Sequence, residues 1–475
     1  MRVHPEVIVV GAGFGGLGVA LSLLRAGFER FTVLERADDV GGVWRDNTYP
    51  GAACDVPSSL YSYSFSPNLT WPHRYAAQPD ILAYLRRNAE AVRDRIRFGA
   101  DVVAASFEGH RWRVELASGE VLEADVLVSA VGQLGTPSTP ALPGLDRFTG
   151  PVFHSARWRH DVDLRGRRVA VVGTGASAAQ FVPEIQPLAG RLTVFQRTAP
   201  HVLPKPDAPR HRPARALTSR AARAGVWLVG EALTGLLNAG RFSRGIVAAI
   251  AHAHLTFRVR DRTVRERLRP RTPAGCKRVL FSNDWYRALT APNTEVVTET
   301  ITEVTTSGLR TADGREHTAD VLIWGTGFEV AGFRLPLRVT GRHGRDLADV
   351  WAGRPRAHLG MTVPGFPGFF LVYGPNTNLG GNSVLTMIEA QCRYVVSAVR
   401  HLAETGTGLE VRPAAAEAFD EEMRARLRDG VWSGCASWYR SDDGSITTNW
   451  PGGTGEYLRR TRRLRLGDHQ LTGGA

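Results

Sequence analysis

Twice in this chain a short apolar strand runs into a glycine-rich turn and then an Ala/Leu-rich helix. That repeated unit constrains the fold more than any other feature. The first copy is Val7–Val10, then Gly11-Ala12-Gly13-Phe14-Gly15-Gly16, a helix to Arg25 and a strand at Phe31–Leu34. The second begins near Arg167, with Val169–Val172, then Gly173-Thr174-Gly175-Ala176-Ser177-Ala178, a helix and a strand at Leu192–Phe195. In such a unit the first glycine permits the tight turn, the second lets backbone approach a pyrophosphate, and the third allows helix and strand to pack closely. The helix N-terminus then offers N–H groups and a partial positive charge to the phosphates. Two copies predict an α/β protein with two Rossmann-like dinucleotide-binding domains.

The ends of the second strands distinguish the two sites. Glu35 closes the first unit, where a carboxylate accepts hydrogen bonds from ribose hydroxyls. Gly11, Gly13, Gly16 and Glu35 are therefore the residues expected to hold the first dinucleotide, FAD. The second unit ends in Gln196-Arg197-Thr198, with no acid. A carboxylate there would repel a 2′-phosphate, whereas Arg197 pairs with it and Thr198 donates a hydrogen bond. Together with Gly173, Gly175 and Ser177, they predict NADPH in preference to NADH.

A chain of 475 residues is too long for one ordinary core. We read 1–140 as the first part of the FAD domain and 141–207 as the first part of the NADP domain. A helical insertion in the second domain follows at 208–272, then the rest of the NADP domain at 273–328. The remainder, 329–475, is the second part of the FAD domain with a tail that reads as peripheral after Gly452. Within the insertion, Trp227, Leu228, Leu236 and Phe257 are candidates for substrate contacts, with core packing as the simpler account of each. The arginines of that segment read mostly as solvated helix faces.

Composition excludes several classes. Hydrophobic residues at 43% and charged residues at 22% are those of a globular protein. Met1 leads directly towards a strand, which predicts a cytoplasmic protein with no secretory leader. The most apolar helical stretch, Val226–Leu237, is interrupted by Gly230, Glu231 and Gly235, which argues against membrane insertion. Cys54, Cys276, Cys392 and Cys435 are far apart, so reduced thiols are expected, with neither a metal site nor a dithiol reductase. The formal charge of +13 raises the question of a nucleic-acid partner, but the arginines are dispersed and no such motif accompanies them. Attraction of anionic cofactors, or compositional bias, accounts for the charge. Only two lysines occur, Lys205 in a Pro-Lys-Pro turn read as an exposed loop, and Lys277.

The run Gly41-Gly42-Val43-Trp44-Arg45-Asp46-Asn47-Thr48-Tyr49-Pro50-Gly51-Ala52-Ala53-Cys54-Asp55 resembles the GGxWxxxxYPGxxxD signature of Baeyer–Villiger monooxygenases. Their second fingerprint, FxGxxxHxxxW, is matched by Phe148, Gly150, His154 and Trp158. Related flavin monooxygenases that oxidise nitrogen or sulfur carry Tyr or Phe where Trp158 stands. Arg159 departs from the Pro or Asp that follows in the family. Gly275-Cys276-Lys277-Arg278, Trp324-Gly325-Thr326-Gly327-Phe328, Gly374-Pro375-Asn376-Thr377 and Ser437-Trp438-Tyr439 are similar to further family segments, so the likeness spans nearly the whole chain.

The resemblance implies an NADPH- and O2-dependent flavin monooxygenase converting a ketone to an ester or lactone. It gives Arg278 the task of stabilising an anionic flavin peroxide and Asp55 that of holding Arg278. An Asp–Arg pair is also a common structural ion pair. By the same resemblance Gly42, Trp44, Asp55 and Asn376 lie at the flavin, Trp438 reaches the nicotinamide nucleotide, and His154 organises the domains. Lys277, a rare lysine next to Arg278, can point the opposite way, towards the 2′-phosphate beside Arg197. Two alternatives stay open at this point: oxygenation at sulfur or nitrogen, and a nucleotide-binding sensor without oxygenation.

Overall fold

A computed structural model describes all residues except 1–3, 208–215, 239, 331, 332, 334, 436, 438, 442 and 473–475. It has the α/β architecture expected, built on two five-stranded parallel sheets. In the first sheet the strands Phe369–Leu371, Val126–Ser129, Val7–Val10, Phe31–Leu34 and Ile96–Arg97 lie side by side in that order. Every residue of Val7–Val10 is buried, because both faces of this central strand are covered. The two-residue side-chain period divides them: Val7 and Val9 pack under helix Phe14–Arg25, whereas Ile8 and Val10 pack against an antiparallel sheet on the opposite side. Its antiparallel strands are Val102–Glu108, Arg111–Leu116 and Val121–Ala124, and Arg338–Thr340 joins the edge parallel to Val102–Glu108.

The second parallel sheet runs Thr294–Val297, Arg191–Phe195, Arg168–Val172, Val321–Trp324 and Val152–His154. Helix Ala176–Ile185 covers one face through Ala178, Phe181, Val182 and Ile185. In both sheets the glycine turn leaves a central strand where the strand order reverses, the position at which open α/β sheets bind ligands.

Helices Ala216–Asn238, Arg241–Arg258 and Arg262–Arg267 follow. The chain leaves for them and returns through a parallel pair of two-residue strands, Val202–Leu203 and Leu280–Phe281. The first long helix bridges to the FAD domain. Arg223 donates to the carbonyls of Leu60 (3.3 Å) and Ser62 (2.7 Å), and Trp227 Nε1 donates to Thr454 Oγ1 at 2.8 Å.

Four sequence expectations are corrected here. Leu228, Leu236 and Phe257 are exposed and do not pack in a core, because helical periodicity does not tell which of two apolar faces looks inward. The segment after Gly452 is not peripheral: helix Thr454–Thr461 buries Tyr457, whose hydroxyl donates to Leu359 O at 2.7 Å, and strand His469–Thr472 pairs with Gly408–Val411. Its polar composition hid this, since capping and ion pairs hold it as much as apolar contact does. Lys205 is no free loop residue; its Nζ lies 4.7 Å from the centre of the Tyr75 ring and 3.3 Å from Asp207. Finally, Cys276 and Cys435 form a disulfide across 159 residues of sequence, leaving Cys54 and Cys392 as buried thiols. Sequence spacing carries no information about such a tertiary approach.

The tail is also fixed by charge. Arg426 Nη1 and Nη2 reach the two carboxylate oxygens of Glu456 at 2.7 and 2.8 Å, and Arg460 joins Glu422 and Glu456. These arginines hold both glutamates below the usual carboxyl range. Their contribution is therefore complete above the unfolded glutamate value of about 4.3 and fades as pH falls through the lower folded values. Replacing Arg426 by Met should lower stability by about 1 kcal/mol at neutral pH, the modest size reflecting solvent screening. In thermal melts the deficit should shrink steadily as pH is lowered below that range.

Candidate active site

At the C-terminal end of the first sheet lies an elongated cleft lined by Gly11, Gly13, Glu35, Gly42, Trp44 and Arg45, among others. Gly11 adopts a left-handed φ of +101°, and a Cβ on Gly16 would stand 1.7 Å from the Gly11 carbonyl oxygen. The third glycine is thus a packing requirement. Glu35 accepts from Ala12 N (2.8 Å) and Ala37 N (3.1 Å), and Arg45 Nη1 donates to it at 3.0 Å. Its carboxylate is so fixed facing the turn, with capacity left for a ribose hydroxyl. Trp44 Nε1 donates to the Tyr61 hydroxyl at 3.1 Å, which sets the indole on the cleft wall. Glycine backbone at the turn, a helix N-terminus and a fixed acid suit the adenosine and pyrophosphate of FAD.

The second turn repeats the geometry. Gly173 has φ +115° and sits so close to Gly325 that a Cβ would meet its carbonyl oxygen at 2.3 Å. A Cβ on Gly175 would meet nothing within 4 Å, which leaves room for a pyrophosphate. Thr174 Oγ1 donates to the Thr198 carbonyl at 3.0 Å, joining the turn to the next strand's end. Arg197 is exposed and Lys277 half-buried beside it. Burial, and then the Arg197 charge, pull the Lys277 ammonium below the usual lysine range. Among the described residues neither cation has an ion pair with a carboxylate within 4.0 Å. Two adjacent cations without a carboxylate partner can together pair with an anionic group such as a 2′-phosphate.

The signature run 41–55 links the two sites. Its Gly-Gly-Val-Trp end lines the flavin cleft, and its Tyr-Pro-Gly centre docks on the second domain. Tyr49 donates to Gln180 Oε1 at 2.9 Å, beside Ser177, and Gln180 Nε2 donates to the Ala53 carbonyl at 2.8 Å. Gly51, at φ +75°, approaches the Gln180 carbonyl so closely that a Cβ would lie 2.9 Å from it. The run then ends at Asp55, which meets Arg278 from the other domain. Arg278 Nε and Nη2 lie 2.8 and 2.6 Å from one oxygen, Oδ2. The Asp55 charge holds the Arg278 guanidinium above the usual arginine range despite desolvation. Tyr373 and Tyr439 flank the pair. Burial pushes the Tyr439 hydroxyl up to about 12 against the pull of Arg278, with which it shares a hydrogen bond.

The second fingerprint has a packing role in this structure. Phe148 packs in the core beneath the second sheet, and a Cβ on Gly150 would lie 2.2 Å from the Asp320 carbonyl oxygen. His154 ends an edge strand opposite Trp324; its Nδ1 accepts from Ala156 N at 3.0 Å, and burial lowers its pKa. Trp158 packs edge-on to Phe153 and tilted against Phe181, with ring centroids 5.2 and 5.3 Å away. Arg159 is exposed and ion-paired with Asp161, so the departure at that position falls on the surface. The Asn376 carboxamide donates to the carbonyls of Ile446 and Asn449, both at 3.1 Å, and ties that loop to the edge of the cleft. Trp438 lies outside the described residues. Sequence reasoning passed over Arg45, Gln180 and Tyr373, and quoted Tyr439 only as part of the family-like run 437–439. Arg45 stood within the quoted signature, whereas nothing around Gln180 marks it as an interdomain clamp.

Two facing dinucleotide folds with an Asp–Arg pair between them define the class, a flavoprotein reduced by a nicotinamide nucleotide. The family model for pyridine nucleotide-disulphide oxidoreductases matches residues 8–208. A Baeyer–Villiger monooxygenase of Streptomyces coelicolor is 45% identical over 98% of this chain and 93% of its own length. Another, from Pseudomonas aeruginosa, is 41% identical over 99% of this chain and 92% of its own. An oxidized steroid monooxygenase bound to NADP superposes with a TM-score of 0.88 at 32% identity, covering 99% of each chain. The chain belongs to the Baeyer–Villiger monooxygenases. It is an FAD-dependent monooxygenase that draws its electrons from NADPH.

The glycine packing gives a direct test. Gly16→Ala should yield protein lacking flavin absorbance and less stable by about 1–3 kcal/mol, because the Gly11 carbonyl has no freedom to retreat. Absorbance of the purified variant and its thermal melt check this.

Proposed function

We propose that the chain converts a ketone to an ester or lactone in the cleft between its domains, with Arg278 and Asp55 as the residues that make carbonyl insertion possible. Flavin held at Gly11, Gly13, Glu35 and Trp44 would supply oxygen activated from O2 once NADPH had reduced it. The balance is ketone, O2, NADPH and a proton giving ester, NADP+ and water. The observation that carries the reading is the Asp55–Arg278 contact, a permanent cation held at the meeting point of the two dinucleotide folds. An oxygen species that attacks a carbonyl carbon must stay anionic, and the tetrahedral adduct that follows is also an anion. A guanidinium stabilises both without losing its own proton. Asp55 fixes its direction from one carboxylate oxygen, and Tyr439 shares a hydrogen bond with it.

Lys277 stands next to Arg278 in sequence but faces the Arg197 charge. One short segment so serves both the anion of the cofactor tail and that of the reaction. Gly42 and Trp44 at the flavin, and Asn376 through the 446–449 loop, complete the cofactor assignment. Trp438, by the family likeness, reaches the nicotinamide nucleotide. Dependence on NADPH favours the cytoplasm, where the Cys276–Cys435 bond faces reducing thiols.

Arg278→Met should retain FAD and oxidise NADPH, yet lose ester formation by about 100-fold or more. Labelled oxygen with a panel of ketones reads this out; retention of singly labelled ester would remove Arg278 from the chemistry. Surviving sulfoxidation in the same variant would separate carbonyl insertion from heteroatom oxygenation. Because Asp55 raises the Arg278 pKa, ester formation should show no alkaline limb from this group in a pH profile. Lys277→Met should reduce the preference for NADPH over NADH by about tenfold, measured as the ratio of kcat/KM values.

A further inference from the structure

The two long helices of the insertion present an apolar face to solvent that the monooxygenase reaction does not use. They adjoin through Leu237, Val247 and Ala251, which are buried together with Leu203, Ala274 and Val279. Their outward faces are also apolar. On Arg241–Arg258, Phe242 is 88% exposed, Ile246 44%, Ile250 48% and Phe257 81%. Steps of four, four and seven residues place these on one side of the helix. On Ala216–Asn238 the exposed side carries Leu228 (59%), Val229 (70%) and Leu236 (37%), with Ala221, Ala222, Gly225, Ala232 and Gly235 between them. An exposed apolar surface of this kind marks a site of interaction, and not a solvated helix face.

Charge identifies the occupant. Residues 208–258 hold eight arginines and a single acid, Glu231. That acid looks inward, where it accepts from Thr454 N (2.8 Å), Gly455 N (3.1 Å) and Asn382 Nδ2 (2.9 Å). Among the described residues, the outer surface of the two long helices is thus apolar and cationic, and the acid that follows them, Asp261, caps the next helix. Arg220, Arg258 and Arg260 are exposed beside the apolar face, and the Arg258 guanidinium lies 6.0 Å from the centre of the Phe257 ring. A second copy of the chain is a poor match, since each copy carries a formal charge of +13 and the same arginines would meet. No helix among the described residues is long and apolar enough to cross a membrane. Helices with aromatic and aliphatic residues on one face and arginines beside it lie in the plane of an anionic lipid surface. We propose that this helical pair docks the enzyme on an anionic membrane surface, with Phe242 and Phe257 entering the headgroup region.

Flotation of the full-length, FAD-loaded chain with phosphatidylcholine vesicles, alone or with equimolar phosphatidylglycerol, tests this at low salt. The chain should float with the anionic vesicles and stay behind with the neutral ones. The double variant Phe242→Ser/Phe257→Ser should partition at least about tenfold more weakly. Its flavin absorbance and NADPH oxidation should be unchanged. Arg258→Gln and Arg260→Gln should each weaken partitioning about fivefold. Three results would overturn the proposal: no flotation with anionic vesicles, equal flotation of the serine double variant, or equal flotation with neutral vesicles. A dimer on gel filtration that the serine variant reduces to a monomer would give the face to a second copy and overturn it as well.

Discussion

Asp55 and Arg278 belong to different dinucleotide folds, and their ion pair forms only because those folds are held face to face. The pair therefore marks the place where the two folds meet. Its geometry rests on a few contacts nearby. Gln180 takes the Tyr49 hydroxyl and the Ala53 carbonyl, and His160 lies 2.9 Å from Thr48 Oγ1. A single stretch of fifteen residues therefore lines one cofactor cleft, docks the second domain and positions the charged pair. That concentration of tasks explains why so much of the stretch is glycine, proline and aromatic. Gly51 admits the Gln180 carbonyl, and Trp44 and Tyr49 each have a polar end with a defined partner.

Much of this was legible before any coordinates. Strand Val7–Val10 with its glycines, the second copy at Val169 and the acid-for-arginine exchange after the second strands follow from local rules of backbone and charge. So does the division into two nucleotide sites. Arg278 came from the family likeness of its segment and Lys277 from the rarity of lysine, and in the structure one meets Asp55 and the other lies beside Arg197. Contacts made between distant segments were hidden. Gln180 looks like any helix residue, Cys276 and Cys435 have no spacing that announces a bond, and Tyr457 sits in a stretch whose polarity suggests solvent. The insertion was the hardest part. Its helices are apolar on both sides, so periodicity could not say which of Trp227, Leu228 and Leu236 turns inward.

The fingerprint around His154 shows how a recognisable motif differs from a catalytic one. Phe148, Gly150 and Trp158 fill spaces at the edge of the second sheet, and His154 ends the strand that pairs with Trp324. These residues hold the edge of the second sheet together by packing. Arg159, exposed and ion-paired with its near neighbour Asp161, leaves that connection untouched.

The first sheet is interrupted in sequence by the whole of the second. Its edge strand, Phe369–Leu371, and the long helix Val384–Thr405 that packs on helix Phe14–Arg25 come after the last strand of the second sheet, Val321–Trp324. During synthesis the nicotinamide fold has all its strands before the flavin fold has its fifth. The unit that starts first is therefore completed last, and the growing chain must carry an unfinished sheet edge for some 240 residues between Ser129 and Phe369.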